Sequence, residues 1–184
     1  MTHGATLETR SLVRIALFAA LMGVLGLVPP LHIPIAAGVP VTAQSLGVML
    51  AGLILGGRDG ALSVALFLLV VALGAPLLSG GRGGSGVFFQ PTAGYLLGYV
   101  AGAFVTGWLA TRLPGPALLR GFAAAVIGGI GIVYLIGIPV FSAIARVPVD
   151  KVLIGSLIFI PGDLLKAALA ALAARSVAGR TGPR

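Results

Sequence analysis

Cysteine is absent from the 184 residues. That excludes disulfides, thiolate catalysis and Cys-ligated metal sites. Charge is scarce as well: 9% of the residues are charged, where a soluble domain carries about 25%. The four acidic residues and two histidines are widely scattered. They leave no cluster for the metal centre of a membrane protease or the acidic site of an enzyme acting on a lipid or prenyl substrate. The phosphate-binding pattern Gly-x-x-x-x-Gly-Lys-Ser/Thr is missing, since neither Lys151 nor Lys166 follows a glycine. The chain is therefore not by itself a P-loop ATPase.

What is present is hydrocarbon. Hydrophobic residues make up 58% of the chain, and the mean hydropathy is +1.13. Such a surface suits lipid and not water. The 29 glycines and 12 prolines lie among Leu, Ile, Val and Ala, and membrane helices tolerate both better than soluble helices do. The expectation is an all-α, polytopic membrane protein: one domain over residues 1–184, built as a bundle of six transmembrane helices. The spans fall at about 12–31, 43–57, 61–78, 92–111, 121–141 and 152–174, and the second is short for a ~30 Å hydrocarbon core. Arg10 and Arg14 before Ile15 to Val28 look like the start of a signal peptide. No clear cleavage site ends the run, so it reads as a retained first span.

The net charge of +8 would suggest nucleic acid in a soluble protein. Here the basic residues stand singly between apolar runs, with no basic helix face, so the reading is membrane orientation and no nucleic-acid partner. With both termini cytoplasmic, Arg10, Arg14, Arg58, Arg112, Arg120, Arg175, Arg180 and Arg184 fall inside, and Arg82, Arg146 and Lys151 fall outside. That is the bias the positive-inside rule requires. Trp108, near the inner end of the fourth span, fits an interfacial anchor.

Three features stand out. In the last span, Ile160-Pro-Gly-Asp-Leu-Leu-Lys166 places Asp163 and Lys166 three apart, on one helical face. Both are expensive in hydrocarbon and should face the bundle or a wet cavity. They read as a ligand or ion site, or as a neutralised structural pair. Second, small residues recur every four positions: Gly94, Gly98 and Gly102 on the fourth span, and Gly52 and Gly56 on the second. These suit close internal helix packing. Ala16 and Ala20 form a similar pair on the first span, where packing is the default and an external partner helix the alternative. Third, two loops, Val39 to Gln44 and Gly80-Gly-Arg-Gly-Gly84, fall on the side opposite the termini, and the second reads either as a tight turn or as an anion cradle. Backbone N–H groups in glycine loops cradle anions, and the Arg82 guanidinium can hold a carboxylate bidentately.

Together these residues resemble the BioY family, the biotin-binding S component of energy-coupling-factor (ECF) transporters. The matching stretches are Pro40-Val-Thr-Ala-Gln44 into Gly47-Val-Met-Leu-Ala-Gly52, Leu55-Gly-Gly-Arg-Asp-Gly-Ala61 and Gly74-Ala-Pro76. They continue with Gly80-Gly-Arg-Gly-Gly84, Pro91-Thr-Ala-Gly-Tyr-Leu-Leu-Gly98 and Pro161-Gly-Asp-Leu-Leu-Lys166. They cover nearly the whole chain in the family's order. Gln90 departs from it, standing where the family usually has glycine.

The resemblance implies a six-helix S component of the prokaryotic plasma membrane that takes biotin from outside. Asp163 would accept from the urea N–H groups, Lys166 would donate to the urea carbonyl, and Arg82 would hold the carboxylate. Gln44 would bound the pocket, and Tyr95 would pack on the bicyclic ring. Ala16 and Ala20 would face a T subunit, with ATPase subunits supplying the energy and no cofactor in this chain. The alternatives are an S component for another vitamin, or a solitary biotin transporter working alone or as a homo-oligomer.

Overall fold

The computed structural model describes residues 8–29 and 42–180. The end of the expected first span, residues 30–31, and residues 39–41 of the loop Val39 to Gln44 lie outside these residues. The described chain is helical, with no strand among the described residues beyond one isolated antiparallel bridge between Leu78 and Arg82. The helices are α1 Thr9–Gly26, α2 Gln44–Leu55, α3 Gly57–Ala72, α4 Ala93–Arg112, α5 Ala117–Ala125, α6 Val133–Ala145, α7 Val149–Ser156 and α8 Ile160–Arg180.

These form six rods, because two pairs are continuous. A π-helical segment, Val126–Ile132, joins α5 to α6, and a 3-10 turn, Leu157–Phe159, joins α7 to α8. The expected all-α bundle of six helices is borne out. Four of the rods, Thr9–Gly26, Ala93–Arg112, Ala117–Ala145 and Val149–Ala178, are long and apolar enough to cross a membrane. By contrast, the 12 residues of α2 rise only about 18 Å.

Lipid offers no hydrophobic drive to bring helices together, so close backbone approach must do it. Helix α4 lies against α2, α3, α5 and α6, and its glycines show why. A Cβ at Gly98 would come within 3.0 Å of the Val133 carbonyl oxygen, and one at Gly102 within 2.8 Å of the Gly128 carbonyl oxygen. From the other side, a Cβ at Gly52 of α2 would meet the Ala103 carbonyl oxygen at 2.6 Å. Gly94, Gly98 and Gly102 of α4 and Gly52 of α2 pack within the bundle, whereas a Cβ at Gly56 would meet nothing within 4 Å. Leu17, Leu27, Leu135 and Leu165 point outward instead, as lipid-facing side chains should.

One joint differs from the expected one. The polar triplet Arg58-Asp59-Gly60, expected as a turn between spans, lies in the first helical turn of α3. Gly56 alone makes the break, at φ 86°, a conformation natural only to glycine. There Asp59 accepts a hydrogen bond from Ser11 of α1 at 2.5 Å. In the last rod, Pro161 and Gly162 open α8 directly after the 3-10 turn. Proline is well placed there, because the first turn of a helix needs no N–H partner.

Candidate functional site

The site begins with the loop between α3 and α4. Leu78 and Arg82 exchange backbone hydrogen bonds of 3.0 and 3.2 Å. Gly80 and Gly81 turn the chain between them at φ 81° and 71°. This tight hairpin is anchored by Gln44, at the start of α2. The Gln44 Oε1 accepts from the Ser79 N–H at 3.2 Å, and its Nε2 donates to the Leu77 carbonyl at 3.1 Å and the Met22 carbonyl at 3.4 Å. Gln44 therefore ties α1, α2 and the loop together. Both ends of its buried amide are occupied by backbone.

The hairpin presents Arg82. Its Nε donates to the Ser79 carbonyl at 3.3 Å. Its Nη1 donates to Gln90 Oε1 at 3.1 Å and to Thr92 Oγ1 at 3.4 Å. Guanidinium carries five donors in a planar fork, and Nη2 has no hydrogen-bond partner among the described residues. Gln90, the departure from the family pattern, adopts an extended backbone at φ −83° and ψ 159°. It serves as a prop for Arg82.

Opposite the hairpin, α8 brings Asp163 and Lys166 together as an ion pair of 2.9 Å between Nζ and Oδ1. Ser45 of α2 joins the same corner. Its hydroxyl donates to Asp163 Oδ1 at 3.3 Å and accepts from Lys166 Nζ at 3.0 Å. Tyr134 of α6 donates to the other carboxylate oxygen, Oδ2, at 2.6 Å. Asp163 is only 6% exposed, and a carboxylate this buried requires such partners. The ammonium keeps one of its three donors beyond the two bonds to Asp163 and Ser45.

Tyr95 packs edge-on to Tyr134, with ring centroids 6.1 Å apart. Its hydroxyl lies 3.4 Å from Ser156 Oγ. Ser156 donates its own proton to the Val152 carbonyl, so Tyr95 is the donor in this pair.

Gln44, Ser45, Arg82, Thr92, Tyr95, Tyr134, Asp163 and Lys166 line one cavity of about 690 Å3, counted to its open mouth. The five ligand candidates from the sequence, Asp163, Lys166, Arg82, Gln44 and Tyr95, are among its lining residues. Ala16 and Ala20 lie elsewhere, exposed on the outer face of α1. Sequence reasoning missed Ser45, Thr92, Tyr99 and Tyr134 as lining residues. A signal for the tyrosines existed: the chain has only three, each in an apolar span where its hydroxyl needs a partner, and all three line the cavity. Gly129 of the π segment also reaches the wall, and π turns gather at functional sites. Leu78, Leu96, Val133 and Phe159 supply apolar wall. Among the described residues no group of His, Cys, Asp and Glu could hold a metal ion.

The arrangement has a directional chemistry. One corner offers a carboxylate acceptor and an ammonium donor side by side. Another offers a guanidinium with an unused nitrogen. Tyrosine rings and aliphatic side chains line the cavity with them. Such a site suits an elongated small molecule with an amide- or urea-like head, an apolar body and an anionic end.

Comparison with known proteins agrees with this architecture. The biotin transporter BioY of Rhizobium etli is 49% identical over 177 residues, covering 93% of this chain and 94% of that protein. The probable biotin transporter BioY of Bacillus subtilis is 46% identical over 168 residues, covering 91% and 90%. The crystal structure of an S component for biotin, from an ECF-type ABC transporter, superposes with a TM-score of 0.85 at 30% identity. That match covers 96% of this chain and 94% of the other. The sequence profile of the BioY family spans residues 1–182, so this multi-pass membrane protein belongs to the BioY family.

Proposed function

We propose that the cavity binds biotin and that the chain is the substrate-binding S component of a biotin uptake system. The observation that carries this is the meeting of the Asp163–Lys166 pair and Arg82 in one cavity with three tyrosines. Biotin is an apolar bicycle with a urea at one end and a carboxylate on a flexible tail. The urea N–H groups suit Asp163, and its carbonyl suits the remaining Lys166 donor. The carboxylate suits the Arg82 fork, and the bicycle packs on Tyr95. Gln44 shapes the wall through its hold on the hairpin and does not touch the ligand. The family is one of transporters, and this reading calls for no catalytic step and no cofactor.

Uphill uptake needs energy that the sequence does not supply, because it carries no phosphate-binding loop. We propose that a T subunit and ATPase subunits supply it, docking on the exposed face of α1 that carries Ala16 and Ala20. Labelled biotin bound to the purified protein, with other vitamins as competitors, tests the reading. Saturable binding displaced by biotin alone is expected. Binding of another vitamin in its place would overturn it.

A further inference from the structure

A second concavity lies behind Tyr134. It is a groove of about 580 Å3, counted to its open face, lined by Gly131, Tyr134, Leu135, Ile138, Pro139 and Leu153. Tyr134 belongs to both the groove and the cavity. The π segment supplies more of the partition, with Gly129 lining the cavity and Gly131 lining the groove. Apart from the Tyr134 hydroxyl, which is bonded to Asp163, the groove's side chains are hydrocarbon. Leu135, Leu153, Ile154 and Leu157 around it are exposed, so it opens on the lipid-facing side of the bundle.

The turn beyond the groove is cationic. Helix α6 ends at Ala145 and α7 begins at Val149. Arg146 and Lys151 are both exposed there, against the single carboxylate of Asp150. Neither cation is ion-paired among the described residues. Arg146 caps α6 in the left-handed conformation, at φ 56°, a position that favours glycine. An arginine is thus held at a strained position on the turn that joins the two helices bounding the groove. Unpaired cations beside an apolar groove between membrane helices suit the headgroup and tail of one acidic lipid.

We propose that the groove between α6 and α7 holds one acyl chain of an anionic phospholipid, whose phosphate lies on Arg146 and Lys151. The chain packs against the face of Tyr134 that the cavity does not use, and so backs the ring that holds Asp163. This inference does not rest on the identity of the cavity's ligand.

Native mass spectrometry tests it, with the full chain in detergent titrated with palmitoyl-oleoyl phosphatidylglycerol or with the matching phosphatidylcholine. Wild type should retain one phosphatidylglycerol, roughly tenfold more tightly than phosphatidylcholine. Gly131→Trp should fill the groove and abolish that retained lipid. A Cβ there has only the Val126 carbonyl oxygen nearby, at 3.8 Å, so the backbone admits it. Arg146→Gln with Lys151→Gln, on an exposed turn that leaves the core untouched, should erase the preference between the two lipids. Equal retention of both lipids by wild type would overturn the proposal, as would an unchanged retained lipid in Gly131→Trp.

Discussion

Tyr134 and Asp163, 29 positions apart in sequence, meet through a hydroxyl–carboxylate hydrogen bond of 2.6 Å that links α6 to α8. Lys166 and Ser45 take the other carboxylate oxygen. Oδ2 accepts this one bond from Tyr134 and Lys166 keeps one donor beyond its two, so a urea can bond to both groups while Tyr134 and Ser45 hold the carboxylate in place.

Tyr134→Phe removes one donor from the buried carboxylate. A hydrogen bond to a charged group contributes about 1.5–3 kcal/mol. Biotin affinity should fall roughly tenfold or more, while the protein stays monodisperse. Titration calorimetry reads the change, and wild-type affinity would show that the tyrosine does not prepare Asp163 for ligand.

Asp163→Asn and Lys166→Met should each weaken biotin by about a hundredfold, since each strands the other member of a buried pair. The double variant should lose less than the two single losses combined, because contacting residues are coupled. Strict additivity in this cycle would mean that the pair does not act as one unit.

For Arg82→Gln, the comparison is between biotin and a biotin amide that lacks the carboxylate. The variant loses the charge and most of the donor fork. Biotin should weaken roughly tenfold and the amide much less. Equal losses would place the carboxylate elsewhere in the cavity.

Gln44→Ala tests a structural role. It releases the hairpin from α1 and α2 and leaves buried backbone groups unpaired, each costing about 1–3 kcal/mol. Thermal stability should drop in the absence of biotin as well as in its presence. A variant with unchanged stability and lost binding would restore Gln44 as a direct ligand contact.

Ala16→Trp with Ala20→Trp adds bulk to an exposed face of α1, so the bundle has no reason to misfold. Biotin binding should persist, and co-purification with T and ATPase subunits should fail. Retained binding with intact assembly would remove this face from the interface.

Much of this site is legible in the sequence, because its signals are local. Asp163 and Lys166 share a face by helical spacing alone, and both are too polar for lipid. Arg82 stands out as a lone cation in a glycine loop. What resisted reading is what depends on partners far along the chain. Ser45 sits next to Gln44, yet its importance comes from α8. The polar look of Gln44 suggests a ligand contact, and only the positions of the Met22 and Leu77 carbonyls reveal a clamp. The break after α2 was misplaced for a related reason. Arg58 and Asp59 look like a turn by polarity, but Asp59 has a partner in Ser11 of α1, and one glycine makes the corner.

Trp108 is the only tryptophan, and the Arg112 guanidinium covers its ring at 4.2 Å, near the end of α4 remote from the cavity. Tyr95 and Tyr99 lie in the first two turns of that same helix, about 20 Å and about 14 Å from Trp108 along the axis at 1.5 Å per residue. The molecule thus carries two separate optical reporters without any label. Tyrosine absorbance follows the cavity, while tryptophan emission follows the opposite end of the bundle.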